Sequence, residues 1–265
     1  MLKDITLGQF FPGDTIVHRL DPRTKIVLLI VYIVALFQAV SWWSYALVTL
    51  VTVLAMALGH IKPKNIFKGL KPMLFIIVLT ALLNIFYTQG TPIVEGWIVT
   101  WEGIGRSVQM ILRIVLLITG TFLLTYTTSP IALTDGLEKL LSPLKRIGVP
   151  VHEMTLMMSM ALRFIPTLIE ETDKIMSAQK ARGADFETGS LVQRAKALLP
   201  ILVPLFVSAF RRADELAVAM ESRCYHGGEG RTRMKQMKLQ NIDYAAFLFG
   251  GAFLAGVIVL RHFEF

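Results

Sequence analysis

Long apolar runs separated by short basic turns dominate the chain. Four stretches are uninterrupted enough to read as transmembrane helices: TKIVLLIVYIVALFQAV (24–40), WWSYALVTLVTVLAMALG (42–59), PMLFIIVLTALLNIFY (72–87) and YAAFLFGGAFLAGVIVL (244–260). At about 1.5 Å per residue they measure roughly 24–27 Å, so flanking Trp, Tyr and Lys are expected to complete the crossing of a core about 30 Å thick. A fifth run, 107–128, contains Arg113 near its start. That position favours snorkelling or local pairing over a transport role.

The pattern changes between 129 and 243. Residues 151–180 and 190–225 each read as one long helix, the first bent at Pro166, the second bent at Pro200 and Pro204 and with Ser190 as its N-cap. Each begins apolar (MTLMMSMAL; LLPILVPLF) and ends charged (EETDK; RRADE). Apolar runs of about 10–14 residues are short for a span, which points to oblique helices with one end against other helices and the other in the cytoplasm. Both helices finish with one device: Ala178-x-x-Ala181-Arg182-Gly183 and Ala219-x-x-Ser222-Arg223-Cys224. Capping and the helix dipole explain either one alone, at about 0.3–1 kcal/mol. Its repetition, with small residues letting a partner approach a guanidinium fork, points to docking on two similar partners.

Composition supports the membrane reading. A chain 54% hydrophobic, with mean hydropathy +0.59, is neither an ordinary soluble domain nor disordered. Its net charge of +8 sits in particular loops. His18, Arg19, Arg23 and Lys25, then Lys62, Lys64, Lys68 and Lys71, mark cytoplasmic segments; the loop with Glu95, Trp97, Trp101 and Glu102 carries only Arg106 and fits the outside. Counting crossings puts 129–243 inside and the terminal RHFEF outside. The start lacks a secretory-signal pattern, so the first apolar segment is expected to remain. Cys224, the one cysteine, reads as a buried or packing thiol.

No catalytic motif emerges. There is no G-x-x-x-x-G-K-[ST] loop, Gly103-x-Gly105 lacks a third glycine, His152-Glu153 lacks the second histidine of a zinc-protease helix, and no G-x-S-x-G occurs. No catalytic residue, metal, cofactor or nucleic-acid partner is therefore expected. Two other classes compete. An ion-coupled secondary transporter would carry ionisable groups at midplane in duplicated halves, which are not seen. A lipid-processing enzyme would use a cluster such as His18, Arg19 and Asp21, but Asp21-Pro22-Arg23 reads more simply as a turn anchoring the first helix. Met154, Met157, Met158 and Met160 cluster on the apolar half of the first long helix, as either an adaptable partner surface or ordinary packing.

HRLDPRTK (18–25), PLKRIGVPVHE (143–153), LRFIPTLIEE (162–171) and the two arginine motifs, in this order, give nearly the whole chain a resemblance to the T component of energy-coupling factor transporters, importers of vitamins and metal cofactors. The resemblance implies an all-α integral membrane protein with about five transmembrane helices plus long cytoplasmic coupling helices. It divides the chain into a membrane domain (1–128), a coupling-helix region (129–240) and a last span (241–265), in a prokaryotic plasma membrane with the N-terminus cytoplasmic. It also implies a non-catalytic subunit. Ala181-Arg182-Gly183 and Ser222-Arg223-Cys224 would dock on two cytoplasmic ABC-type ATPase subunits, the second motif keeping Arg between small residues although both neighbours differ. A separate, interchangeable S component in the bilayer would capture the substrate and touch the four methionines.

Overall fold

The structure, a computed structural model, describes residues 10–92, 99–186, 188, 190–227 and 237–262. Glu95 and Trp97 of the predicted outer loop, and the end of the RHFEF tail, lie outside these residues. The described chain is helical: α1 (Ile16–Arg19), α2 (Pro22–Gln38), α3 (Trp42–Leu58), α4 (Pro63–Leu70), α5 (Leu74–Tyr87), α6 (Trp101–Thr127), α7 (Pro130–Leu141), α8 (Val151–Ala181), α9 (Leu191–Glu221) and α10 (Asn241–His262). It is an all-α integral membrane protein. Among the described residues two compact units are distinguished, one within 10–137 and 237–262, the other within 138–227; one division falls within α7.

In the larger unit α2 packs on α6 and α10, α3 on α6 and α10, and α5 on α6. Ala35, Leu36, Tyr45, Val48, Leu116 and Val257 form its buried centre. Small residues let the helices close in: a Cβ on Gly120 of α6 would sit 2.5 Å from the Tyr32 ring of α2. Tyr32 in turn donates its hydroxyl hydrogen to Leu116 O at 2.9 Å. The hydroxyls of Thr49, Thr52, Thr80, Thr119 and Thr121 bond carbonyls one turn back, so little polar hydrogen-bonding capacity faces lipid. No residue of α5 is buried, and Leu74, Phe75, Val78, Leu82 and Phe86 are exposed, a surface that hydrocarbon solvates and water would not.

All five predicted spans are helical, but α2, the first of them, has only 17 residues and is not among the helices long and apolar enough to cross a membrane. Helices long and apolar enough to cross a membrane cover Pro63–Tyr87, Trp101–Thr127, Val192–Glu221 and Asn241–Arg261, with Trp42–Leu58 apolar but shorter. The third predicted span is lengthened by α4, which starts with Pro63 at its first position, and by a 3-10 turn over Lys71–Met73. The new candidate is α9.

Several polar groups of the larger unit gather at helix ends. Asp21 caps α2 by accepting from Arg23 N–H at 2.9 Å and pairs with the Arg23 guanidinium at 2.9 Å, as the turn reading requires. Asp243, only 1% exposed, accepts from Asp21 N–H at 2.9 Å and from Gln240 N–H at 2.8 Å, tying the start of α10 to the start of α2. Lys25, 6% exposed, donates to Thr127 O at 2.9 Å and His18 O at 3.1 Å. At the other end of α2, Arg113 donates to Ala39 O at 3.1 Å and lies 5.8 and 5.9 Å from the ring centres of Phe37 and Tyr45. This intramembrane arginine is paired locally through one guanidinium nitrogen, while its buried Nε has no partner among the described residues.

Candidate functional site

Two 31-residue helices, each about 46 Å long, make up most of the smaller unit. α8 starts after Gly148, whose φ of 85° closes the preceding turn. α9 opens on a capping box in which Ser190 and Gln193 each accept from the other's backbone N–H. Pro166 lies inside α8 and Pro200 and Pro204 inside α9, and both helices run on through them.

The two small-Arg-small motifs end their helices with the same backbone bonds. At the end of α8, Gly183 N–H donates to Lys180 O at 2.9 Å and Ala184 N–H to Gln179 O at 3.0 Å. At the end of α9, Cys224 N–H donates to Glu221 O at 2.8 Å and Tyr225 N–H to Met220 O at 3.0 Å. This is the Schellman pair of bonds in both cases, with Gly183 (φ 89°) and Cys224 (φ 55°) as the left-handed residue and the arginine immediately before it. The third position of the motif is therefore a backbone requirement. Glycine meets it without strain, whereas cysteine carries a penalty of about 1–2 kcal/mol. Since backbone N–H groups satisfy those carbonyls, the guanidinium groups are left over. Arg182 and Arg223 are exposed and have no partner among the described residues, and Ala181, Gly183, Ser222 and Cys224 are exposed beside them. The expectation of a buried Cys224 is corrected here: beyond the last turn of α9 its side chain has no helix to pack against.

Between α8 and α9 lies a contact that sequence reasoning missed. Glu171 of α8 accepts from the Arg212 guanidinium of α9 at 3.0 Å, and its other carboxylate oxygen accepts from the Ser208 hydroxyl. Ser208 and Arg212 stand one turn apart on the same face of α9. The Ser208 hydroxyl bond, opposed by desolvation and aided by Arg212, holds the Glu171 carboxyl below its ordinary range. The signal was in the numbering: Glu171 and Arg212 are 41 positions apart, as are Arg182 and Arg223.

Apart from buried Val151, Thr155 and Ile201, much of the apolar half of each helix is uncovered. Met154, Met157 and Met158 are exposed and Met160 half-buried, and α9 exposes Leu198, Leu199, Leu202, Val203, Phe206, Val207 and Phe210. Of the cluster named for the competing enzyme reading, His18 bonds Thr15 Oγ1 at 2.6 Å and Phe11 O at 3.0 Å, and Asp21 is engaged by Arg23 and Asp243. Among the described residues no three His, Cys, Asp or Glu side chains gather to hold a metal ion.

Residues 13–234 match the family model described as "Cobalt transport protein", CbiQ. A Clostridium kluyveri protein named energy-coupling factor transporter transmembrane protein EcfT is 56% identical over 252 residues, 94% of this chain and 93% of that one. Proteins of the same name from Ruminiclostridium cellulolyticum and Bacillus subtilis are each 50% identical, the first over 100% of both chains, the second over 89% of this chain and 91% of its own. With the helical membrane fold and the twin helix ends, these matches establish that the chain belongs to the family of energy-coupling factor transporter transmembrane proteins.

Proposed function

We propose that this chain is the non-catalytic coupling component of an ATP-driven vitamin or micronutrient importer, joined to two cytoplasmic ABC-type ATPase subunits at Arg182 and Arg223. The observation that carries the reading is the spare guanidinium at each of two matched helix ends. An exposed arginine flanked by Ala181 and Gly183, or by Ser222 and Cys224, offers a fixed donor fork on a surface that a groove can approach closely. Met154, Met157, Met158 and Met160 and the apolar flank of α9 then face a membrane-embedded, interchangeable substrate-binding component, for which flexible methionine surfaces are suited.

In this reading 1–128 and 241–265 are the bilayer-spanning parts and 129–240 the coupling region, in the plasma membrane of a prokaryote. The N-terminus is cytoplasmic and the C-terminus external. α9 stays on the cytoplasmic side: between Lys196 and Arg211 its uncharged stretch, residues 197–210, measures about 21 Å, short of a core of about 30 Å. The test is reconstitution of the chain in liposomes. Uptake should require the ATPase pair, the substrate-binding component and ATP together; uptake by the chain alone under an ion gradient would instead establish a secondary transporter.

A further inference from the structure

We propose that Glu171 is a positioning residue, the pin that fixes where α8 and α9 cross and so gives the two docking arginines equal reach. The inference rests on the coupling reading above for its consequence, but its geometry stands on the smaller unit alone. Glu171 lies 11 residues before Arg182, and Arg212, its partner, lies 11 residues before Arg223. Eleven residues are close to three turns, about 16 Å, so each arginine sits at the end of an arm of the same length measured from the same contact.

The chemistry suits a pin better than a weld. One guanidinium nitrogen meets one carboxylate oxygen at 3.0 Å, the Ser208 hydroxyl meets the other, and the buried Arg212 Nε–H has no acceptor among the described residues. A bidentate fork would fix orientation as well as position; a single contact from each donor fixes the crossing point and leaves the angle free. With arms of about 16 Å, a scissoring of ten degrees moves the tips apart by up to about 3 Å without either helix sliding. Both arginines move together, which is what relaying the closure of two ATPase subunits demands. Without the pin, only the packing of α8 on α9 opposes a slip along the helix, and one turn of slip displaces one tip by about 5.4 Å relative to the other.

The test uses the full chain in lipid nanodiscs with Cys224→Ser, spin-labelled at Ser177→Cys and Val218→Cys, two exposed positions that are also 41 apart. Pulsed electron paramagnetic resonance reads the distance between the labels for the wild-type pair, Glu171→Arg, Arg212→Glu and the charge-swapped double variant. Each single variant is expected to broaden the distribution by several ångström, towards the roughly 5 Å of a one-turn slip, and the swap to restore it. In the intact complex, unlabelled single variants should keep their ATPase subunits and lose uptake per ATP hydrolysed by about 5-fold or more, again with recovery in the swap. Equal widths in the wild type and both single variants would overturn the pin whatever uptake does. Broadened distances with unchanged uptake per ATP would overturn its positioning role in transport. Failure of the wild-type chain to retain ATPase subunits would count against the coupling reading instead, and the distance arm would still decide the pin.

Discussion

Replacing Asp243 is the sharpest test of how the membrane helices are held. Its carboxylate is 1% exposed and accepts from two backbone N–H groups, Asp21 at 2.9 Å and Gln240 at 2.8 Å. A hydrogen bond to a charged group contributes about 1.5–3 kcal/mol, so Asp243→Ala removes about 3–6 kcal/mol and leaves two donors without an acceptor. It also deprives buried Lys25 and Arg23 of a balancing charge. Asp243→Asn keeps one acceptor oxygen but turns an NH2 group toward the second donor, for an expected loss of roughly half as much. The assay is reversible unfolding of the purified chain in mixed micelles, followed by helicity, with exposed Asp14→Ala as the control. A loss for Asp243→Ala no larger than the control, below about 0.5 kcal/mol, would refute the reasoning.

Other consequences can be measured on the same preparation. Arg113→Met should destabilise the chain by about 2–3 kcal/mol, since it removes a charge-assisted bond to Ala39 O and two aromatic contacts; uptake lost at unchanged stability would restore a transport role for this arginine. Because the folded Glu171 carboxyl is held below the usual glutamate range, its contribution is fully present above that range and is lost as pH falls through the lowered value. The label-to-label distance should therefore be flat from pH 8 to pH 5 and broaden only in stronger acid, and broadening near neutrality would contradict the assignment.

The sequence was most legible where one signal decides the outcome. Apolar runs bounded by basic turns located helices at the five predicted spans, Asp21-Pro22 marked the first turn of α2, and Ser190 marked the start of α9. The common end of α8 and α9 was visible as a repeat, although only the backbone bonds reveal that its third residue serves the turn and leaves the arginine over. Interactions between distant segments were not visible. Nothing in the local pattern singles out Asp243, yet it binds a backbone group 222 positions away. Glu171 and Arg212 looked like solvated helix charges because no local rule pairs residues on different helices. Cys224 was misplaced because apolar chemistry suggested burial, while its position at a helix stop dictated exposure.

The central claim is that the repeated device is a two-point joint, and co-purification tests it most directly. Wild type, Arg182→Glu, Arg223→Glu and the double variant would each be extracted from membranes with the ATPase pair and the retained ATPase quantified, with helicity checked to confirm folding. The account predicts partial loss in each single variant and no retention in a folded double variant, since reversing a charge in a desolvated contact costs several kcal/mol, about 2–5 at each site. Full retention in the folded double variant would contradict it, and the two arginines would then be no more than the last residues of their helices.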